Sequence, residues 1–189
     1  MFHIKIKSFR DRYPKINIVI KNSPHNTAED LESGKVDIAV LSLPKTNTND
    51  FEIIKSSKIQ DCFVAGVSFK HLLDKPIELH QLTKYPLLLP SKGIASRDFL
   101  DEFAKSQGLT IKPDTEFTGH TVVLEMVKIG VGIGFGPRNK FDAELKRGEL
   151  FELETKPSIP ARYTCIAISK TKSPSPSLKK LLGIIRKKF

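Results

Sequence analysis

Hydroxyl side chains follow the predicted ends of several apolar strands, where they could bind a small molecule. The candidate ligand-binding residues are Ser42, Ser91, Ser96, Thr118, His120 and Thr121. In open α/β sheets, ligands bind beside the carboxyl ends of the strands. The loops at 91–96 and 118–121 also lead into predicted helices, and helix N-termini offer unpaired N–H groups to an anion. Serine and threonine hydroxyls can donate to the same anion, so the sequence predicts a site for a small anionic ligand.

The same side chains also have simpler explanations. Ser96 and Thr118 are equally suited to capping the helices that follow them. His120 is a candidate neutral or positive donor in the loop that it shares with Thr118. The five histidines show no metal-ligand spacing with one another or with the two cysteines. Binding and capping therefore remain alternatives for Ser96 and Thr118.

Sequence motifs for catalysis and cofactor binding are missing. The chain has no GxSxG, no GxxxxGK[ST], no HExxH and no paired CxxC. The glycine run at 130–136 has the spacing G-x-G-x-G-x-G and ends at Pro137, unlike a dinucleotide loop that opens a helix. It predicts close backbone packing at a strand–helix junction. We therefore expect no enzyme, no catalytic residue, no metal and no cofactor, although catalytic residues distant in sequence leave no motif.

Composition describes a basic globular chain. It has 189 residues, a formal net charge of +10 and 39% hydrophobic residues. The basic residues of the first and last predicted helices fit solvated faces opposite an apolar stripe. No helix-turn-helix, zinc-finger or RNA-binding motif accompanies them, so we expect no direct nucleic-acid binding by this chain. Cys62 and Cys165 lie in apolar surroundings, which predicts two buried, reduced thiols.

Targeting segments are not evident. No apolar run approaches the roughly 18 residues of a membrane-spanning helix. The start of the chain has His3 and Lys5 at alternate positions and no continuous apolar stretch, unlike a signal peptide. We therefore expect a cytoplasmic protein.

Strand and helix patterns alternate along the chain, as in an α/β domain with largely parallel sheets. Helices are predicted at 2–13, 97–107, 120–129, 138–147 and 177–188, and strands at 16–20, 36–41, 51–55, 61–67, 85–90, 115–118, 130–137, 150–153 and 162–168. The last strand is expected to return to the first lobe. Both lobes are therefore expected to be discontinuous in sequence. The predicted bounds are 1–61 and 164–189 for lobe I and 62–163 for lobe II.

Five segments resemble, in order and spacing, the signature of LysR-type effector-binding domains. They are F-R-D-R-Y-P at 9–14, L-E-S-G-K-V-D-I-A-V at 31–40, L-H-Q-L-T-K-Y-P-L at 79–87, V-K-I-G-V-G-I-G-F-G-P at 127–137 and S-P at 175–176. Each motif alone is weak. Together they extend over nearly the whole chain.

The resemblance implies a fold and a site. The fold is two Rossmann-like lobes joined by two crossover strands, similar to type II periplasmic binding proteins, with a small-molecule effector in the cleft between the lobes. The implied cleft positions are Ser42, 91–96 and 118–121, the same loops that were selected above. It also implies a head-to-tail homodimer or homo-oligomer, with the helices at 2–13 and 120–129 as candidate interface elements.

The sequence departs from the family pattern in two ways. The winged helix-turn-helix that precedes such domains is not in this sequence, so DNA is expected to be bound only through that N-terminal domain. The family's sensing domain also begins with a strand before its first helix, whereas Met1 falls at the start of that helix. We therefore predict that the first lobe lacks its first strand and that its gap is empty or filled by a partner chain.

The sequence accordingly favours the effector-sensing and dimerisation domain of a LysR-type transcription regulator. A free-standing solute-binding protein of the same fold is one alternative, and it would carry a secretion signal or lipid anchor. A cleft enzyme is another alternative, and it would bring a nucleophile and a base within hydrogen-bonding reach.

Overall fold

The computed structural model describes residues 2–21, 27–43 and 49–186. Its α-helices are α1 (Phe2–Arg12), α2 (Thr27–Glu32), α3 (Leu79–Leu82), α4 (Ala95–Ser106), α5 (His120–Lys128), α6 (Asp142–Arg147) and α7 (Pro176–Ile185). Its strands are β1 (Ala39–Leu43), β2 (Phe51–Ile59), β3 (Asp61–Ala65), β4 (Ile77–Glu78), β5 (Leu87–Pro90), β6 (Thr115–Phe117), β7 (Ile133–Pro137), β8 (Phe151–Leu153), β9 (Thr155–Lys156) and β10 (Arg162–Ser169). Short 3₁₀ helices occupy Val67–Leu73 and Arg138–Lys140.

The chain divides into two compact units. Unit 1 comprises residues 1–57 and 163–189, and unit 2 comprises residues 58–162. Strands β2 and β10 each run across a boundary between the units. Unit 2 is therefore one continuous segment between the two parts of unit 1, so the expectation that both lobes are discontinuous was wrong for the second.

Unit 1 is built on a three-stranded sheet with the order β1-β10-β2, in which β1 and β10 are antiparallel. Successive side chains of a strand point to opposite faces of its sheet, and two separate apolar clusters result. Ala39 of β1 packs with Leu31 of α2 in one cluster. Ile166 of β10 packs with Phe9 of α1 and Leu181 of α7 in the other. Helices therefore cover both faces of this small sheet.

The strand predicted at 16–20 is not present. Among the described residues, no backbone hydrogen bond joins this segment to a strand, and Val19 and Ile20 are 73% and 80% exposed. Ile18 nevertheless packs in the same apolar cluster as Ile38, just before β1. The prediction was wrong because apolar alternation indicates a strand only where a neighbouring strand supplies hydrogen-bond partners. The expected gap in the first lobe stays a prediction.

Unit 2 contains a five-stranded mixed sheet with the order β6-β5-β7-β3-β8. Strand β5 is parallel to β6 and to β7, whereas β3 is antiparallel to β7 and to β8. Leu87, Leu88 and Leu89 of β5 are each 0% exposed, as expected for a parallel strand that is covered on both faces. The parallel arrangement places the carboxyl ends of β5, β6 and β7 at one edge of the sheet.

The glycine run before and within β7 allows close packing. A Cβ atom on Gly132 would lie 2.5 Å from the carbonyl oxygen of Pro86, just before β5. A Cβ atom on Gly134 would lie 2.7 Å from Val127 Cγ2 of α5. Because real Cβ atoms do not approach so closely, β7 can pack against β5 and α5 only with glycine at these positions. The prediction of close backbone packing is confirmed.

Candidate functional site

The carboxyl ends of β5 and β6 bring two of the predicted site residues to one sheet edge. Pro90 of β5 pairs with Phe117 of β6 in parallel register. The backbone N–H of Ser91 continues this pairing and donates to the carbonyl oxygen of Phe117 at 2.9 Å. Ser91 and Thr118 therefore leave neighbouring strand ends side by side, as the sequence interpretation requires for a shared ligand site.

The loop after β5 turns directly into α4. The N–H of Ile94 donates to the carbonyl oxygen of Ser91 at 3.1 Å, which closes the turn. Ile94, not Ser96, is the N-cap residue of α4, and no side chain caps this helix end. The capping alternative for Ser96 is therefore wrong: helix α4 begins at Ala95, before Ser96, because the backbone turn starts the helix without a side-chain acceptor.

Ser96 lies in the first turn of α4 and is 4% exposed. Its hydroxyl makes no hydrogen bond to any described residue. No fully enclosed side-chain oxygen or nitrogen in the described part of the chain lacks a partner, so this hydroxyl must reach the molecular surface. A mostly buried hydroxyl without a protein partner, beside an uncapped helix N-terminus, is well placed to donate to a bound molecule.

The loop after β6 leads into α5, and its residues differ in exposure. Gly119 is the N-cap residue of α5 and no side chain caps the helix, so Thr118 does not cap it. Thr118 and Thr121 are exposed. His120 is half-buried, because its Nε2 lies 3.0 Å from the Lys140 carbonyl oxygen and its ring packs against another aromatic ring. That bond leaves Nδ1 as the ring nitrogen not engaged by Lys140.

Ser42 lies in unit 1, apart in sequence from the other candidates. It was predicted in a loop, but β1 continues to Leu43, so Ser42 is a strand residue opposite Thr164 of β10. It is half-buried. The prediction placed the end of the strand two residues early, because strand termini depend on pairing that the sequence does not display. The other five candidates all belong to unit 2.

Sequence reasoning missed Arg97, which is 2% exposed at the start of α4. Its Nε donates to both carboxylate oxygens of Asp101, at 2.9 and 3.0 Å. Its Nη1 donates to the Pro90 carbonyl oxygen at 3.1 Å and to Glu116 Oε1 at 3.0 Å. The guanidinium therefore holds the first turn of α4 against the ends of β5 and β6. The i,i+4 spacing of Arg97 and Asp101 was a usable signal, but the contact with Glu116 depends on strand pairing.

Two further carboxylates fix the backbone at opposite ends of β5. Asp98 Oδ1 accepts a hydrogen bond from the Gly93 N–H at 2.9 Å. Asp114 Oδ2 accepts one from the Leu87 N–H at 2.8 Å, at the start of β5. The Asp98 bond reduces the freedom of the loop that carries Ser91 and Ser96, whereas the Asp114 bond holds the opposite end of β5.

The described residues offer neither a metal site nor a membrane-spanning helix. Among the described residues, no group of three or more His, Cys, Asp or Glu side chains is arranged to hold a metal ion. No helix in that part of the chain is long and apolar enough to cross a membrane.

Comparison with known proteins assigns the family. The family model of the LysR substrate binding domain matches residues 5–189. The uncharacterized HTH-type transcriptional regulator YwqM of Bacillus subtilis (strain 168) is 28% identical, with 97% of this chain and 63% of the regulator aligned. This chain spans between 45% and 63% of the length of five curated regulators that it matches.

Solved structures show the same fold. The regulatory domain of CcmR from Synechocystis PCC6803, in complex with 2-PG, matches with a TM-score of 0.80 and 15% identity, over 98% of this chain and 89% of that one. The effector binding domain of QuiR, in complex with shikimate, matches with a TM-score of 0.77 and 18% identity, over 98% and 88%. The expected α/β fold of the type II periplasmic-binding-protein kind is confirmed. Since the family model covers nearly the whole chain, the chain belongs to the LysR substrate-binding domain family.

Proposed function

We propose that this chain is the small-molecule effector-sensing and dimerisation domain of a LysR-type DNA-binding transcription regulator. Family membership supports this function, as do the curated relatives, which are named HTH-type regulators. The two solved domains described above carry shikimate and 2-PG. Sequence-specific recognition of DNA then belongs to a helix-turn-helix domain of the full-length regulator, and the protein works in the cytoplasm without cofactor or catalysis.

The single observation that carries the site assignment is the Ser96 hydroxyl. It is mostly buried, has no described protein partner and lies in the first turn of an uncapped twelve-residue helix. Ser91 and Thr118 leave the adjoining strand ends. We assign these three residues as the centre of the effector site in unit 2. Ser42, His120 and Thr121 remain candidate contacts.

We propose an anionic effector, such as a small carboxylate. The helix N-terminus supplies free N–H groups and the positive end of a dipole. The nearby Arg97 is not a free cation, because Asp101 and Glu116 already accept its hydrogen bonds. Recognition of the anion therefore depends on uncharged hydrogen-bond donors. Such donors suit an effector that must dissociate from the protein when its concentration falls.

Effector binding would act by shifting a population. A ligand changes the equilibrium between two arrangements of a regulator only by as much as it binds one better than the other. The dimer would transmit that shift to the DNA-binding domains. Helices α1 and α5 are the proposed interface elements. Val122 of α5 is 65% exposed, and Ile129, the residue that follows the last residue of α5, is 75% exposed. Exposed apolar side chains of this kind suit a protein partner.

The test begins with a thermal-shift screen of the 189-residue chain against small carboxylates and phosphates, including shikimate and inorganic sulfate. A stabilising compound is then titrated by calorimetry into the wild type and the double variant Ser96→Ala/Thr118→Ala. Loss of two hydrogen bonds to an anion should weaken binding roughly 10- to 100-fold.

The matched control is Thr110→Ala/Ser158→Ala, which removes two exposed hydroxyls elsewhere in unit 2. It should bind as the wild type does. Equal binding by both double variants would contradict the site assignment. Stabilisation by no compound of the panel would count against an anionic effector, and conversion of a bound compound to product would favour an enzyme.

A further inference from the structure

The net positive charge is concentrated in one unit. Unit 1 has 16 basic and 7 acidic residues, a formal charge of +9, whereas unit 2 has 15 basic and 14 acidic residues, a formal charge of +1. Overall composition hides this difference because it averages over both units. A charge of this size on 84 residues produces a strong positive field around unit 1 alone.

The two units also differ in how their cations are partnered. Five basic residues of unit 2 form ion pairs with carboxylates: Arg97, Lys128, Arg138, Arg147 and Arg162. In unit 1, Lys7 pairs with Asp11, Lys35 with Asp30 and Arg186 with Glu52. Most of the remaining cations of α1 and α7 have no carboxylate partner among the described residues.

These unpaired cations lie on two helices that pack together. Phe9 of α1 shares an apolar cluster with Leu181 and Ile185 of α7. The exposed cations at the C-terminal end of α1 and on α7, called the basic face below, are Arg12, Lys15, Lys179 and Lys180. Of the described acidic residues, only Asp11 lies on either helix, and it is bound to Lys7. The basic face is therefore not neutralised locally.

Tyr13 shows that cations from both helices meet. The Arg12 guanidinium lies 5.8 Å from the centroid of the Tyr13 ring, and the Lys180 ammonium lies 4.9 Å from the same centroid. The electron-rich ring partly offsets the repulsion between the two like charges. An anionic group bound beside this ring would relieve that repulsion further.

We propose that the basic face is a contact surface for the phosphate backbone of duplex DNA, independent of base sequence. Duplex DNA carries about one negative charge per 1.7 Å of its length, so it can engage several separated cations at once. The chain belongs to a family whose curated relatives are named HTH-type regulators, and these cations would add non-specific affinity near an operator. This differs from the expectation of no direct nucleic-acid binding, because composition does not show that cations of α1 and α7 meet at Tyr13.

The experiment measures binding of the 189-residue chain, in its own oligomeric state, to a fluorescent duplex of arbitrary sequence by anisotropy at several salt concentrations. Each neutralised phosphate contributes about 0.9 to the slope of log affinity against log salt. Four cations therefore predict a slope of about −3.6. The variant Arg12→Gln/Lys180→Gln should reduce the magnitude of this slope by about 2.

The matched control is Lys105→Gln/Lys112→Gln, which removes two exposed, unpaired cations of unit 2 and changes the net charge equally. Its slope should equal that of the wild type. An equal loss in both variants would show that net charge alone acts and would overturn the proposal. Failure of the wild type to bind the duplex at low salt, or competition by polyglutamate as strong as that by unlabelled duplex, would also overturn it.

Discussion

Asp61 and Arg162 form an enclosed ion pair between the two ends of unit 2. Their side chains are 0% and 5% exposed. Arg162 donates through Nε to one carboxylate oxygen of Asp61, and its Nη2 lies 3.2 Å from the other. The residues are 101 positions apart and begin β3 and β10, so this pair fastens the first strand of unit 2 to the segment where the chain leaves it.

Breaking that pair should destabilise unit 2 strongly. In Arg162→Met, the Asp61 carboxylate would remain buried without its counter-charge, which typically costs about 3–5 kcal/mol. Urea unfolding followed by circular dichroism measures the free energy of unfolding. Arg147→Met is the control, because its ion pair is 53% exposed on the arginine side and should contribute less than about 1 kcal/mol. Equal effects of the two substitutions would contradict a special role for the buried pair.

Replacement by alanine should change the stability of the fold in opposite directions at Gly132 and Gly183. In Gly132→Ala, the new Cβ would meet the Pro86 carbonyl oxygen at 2.5 Å, so β7 must shift and stability should fall by about 1–3 kcal/mol. In Gly183→Ala, nothing lies within 4 Å of the new Cβ, and α7 should gain roughly 0.5–1 kcal/mol of helix propensity. Thermal or urea unfolding of both variants checks the signs, and a stabilised Gly132→Ala would refute the packing argument.

Glu149 should contribute stability that is lost in acid. Hydrogen bonds from Arg147 and Lys128 lower the pKa of Glu149 from 4.5 to about 2. Because the folded-state pKa is lowered, the contribution is complete above pH 4.5 and disappears as the pH falls towards 2. Carboxyl-carbon NMR would follow the titration. The stability difference between wild type and Glu149→Gln should shrink over this range, and a constant difference would contradict the ion-pair assignment.

Both thiols should resist modification in the folded chain. Cys62 and Cys165 are 4% and 1% exposed, and burial raises the pKa of each thiol above its ordinary value. Since the thiolate is the reactive form, a thiol reagent at mildly alkaline pH should label neither residue. In guanidinium chloride it should label two. Rapid labelling of the folded chain, measured by mass spectrometry, would contradict the buried environment.

Residues 17–20 should exchange their backbone hydrogens quickly. No backbone hydrogen bond joins them to a strand in the described chain, and unprotected amides exchange without any opening step. Amides of β5, in the centre of the unit 2 sheet, provide the slow reference. Hydrogen-exchange mass spectrometry that found both segments equally protected would show that the segment is paired in solution.

Much of the fold follows from local sequence patterns. The apolar run at 85–90 predicted a buried strand, and the glycine run at 130–136 predicted close backbone packing. The ordered motifs from residue 9 to residue 176 predicted the family that the comparison with known proteins then showed. These features could be predicted from the sequence because each depends on residues that are close in sequence or on a spacing that is typical of the family.

The sequence by itself determined the alternation of elements, the family and a set of hydroxyl-bearing loops. Only the tertiary structure decided that residues 16–20 are unpaired, that Ser96 lies inside the first turn of α4, and that Arg97 reaches Glu116. It also decided that most of the net positive charge belongs to unit 1. The physical reason is the same in each case: side-chain periodicity reports burial within a local element, whereas hydrogen-bond and charge partners come from segments that only the folded topology brings together.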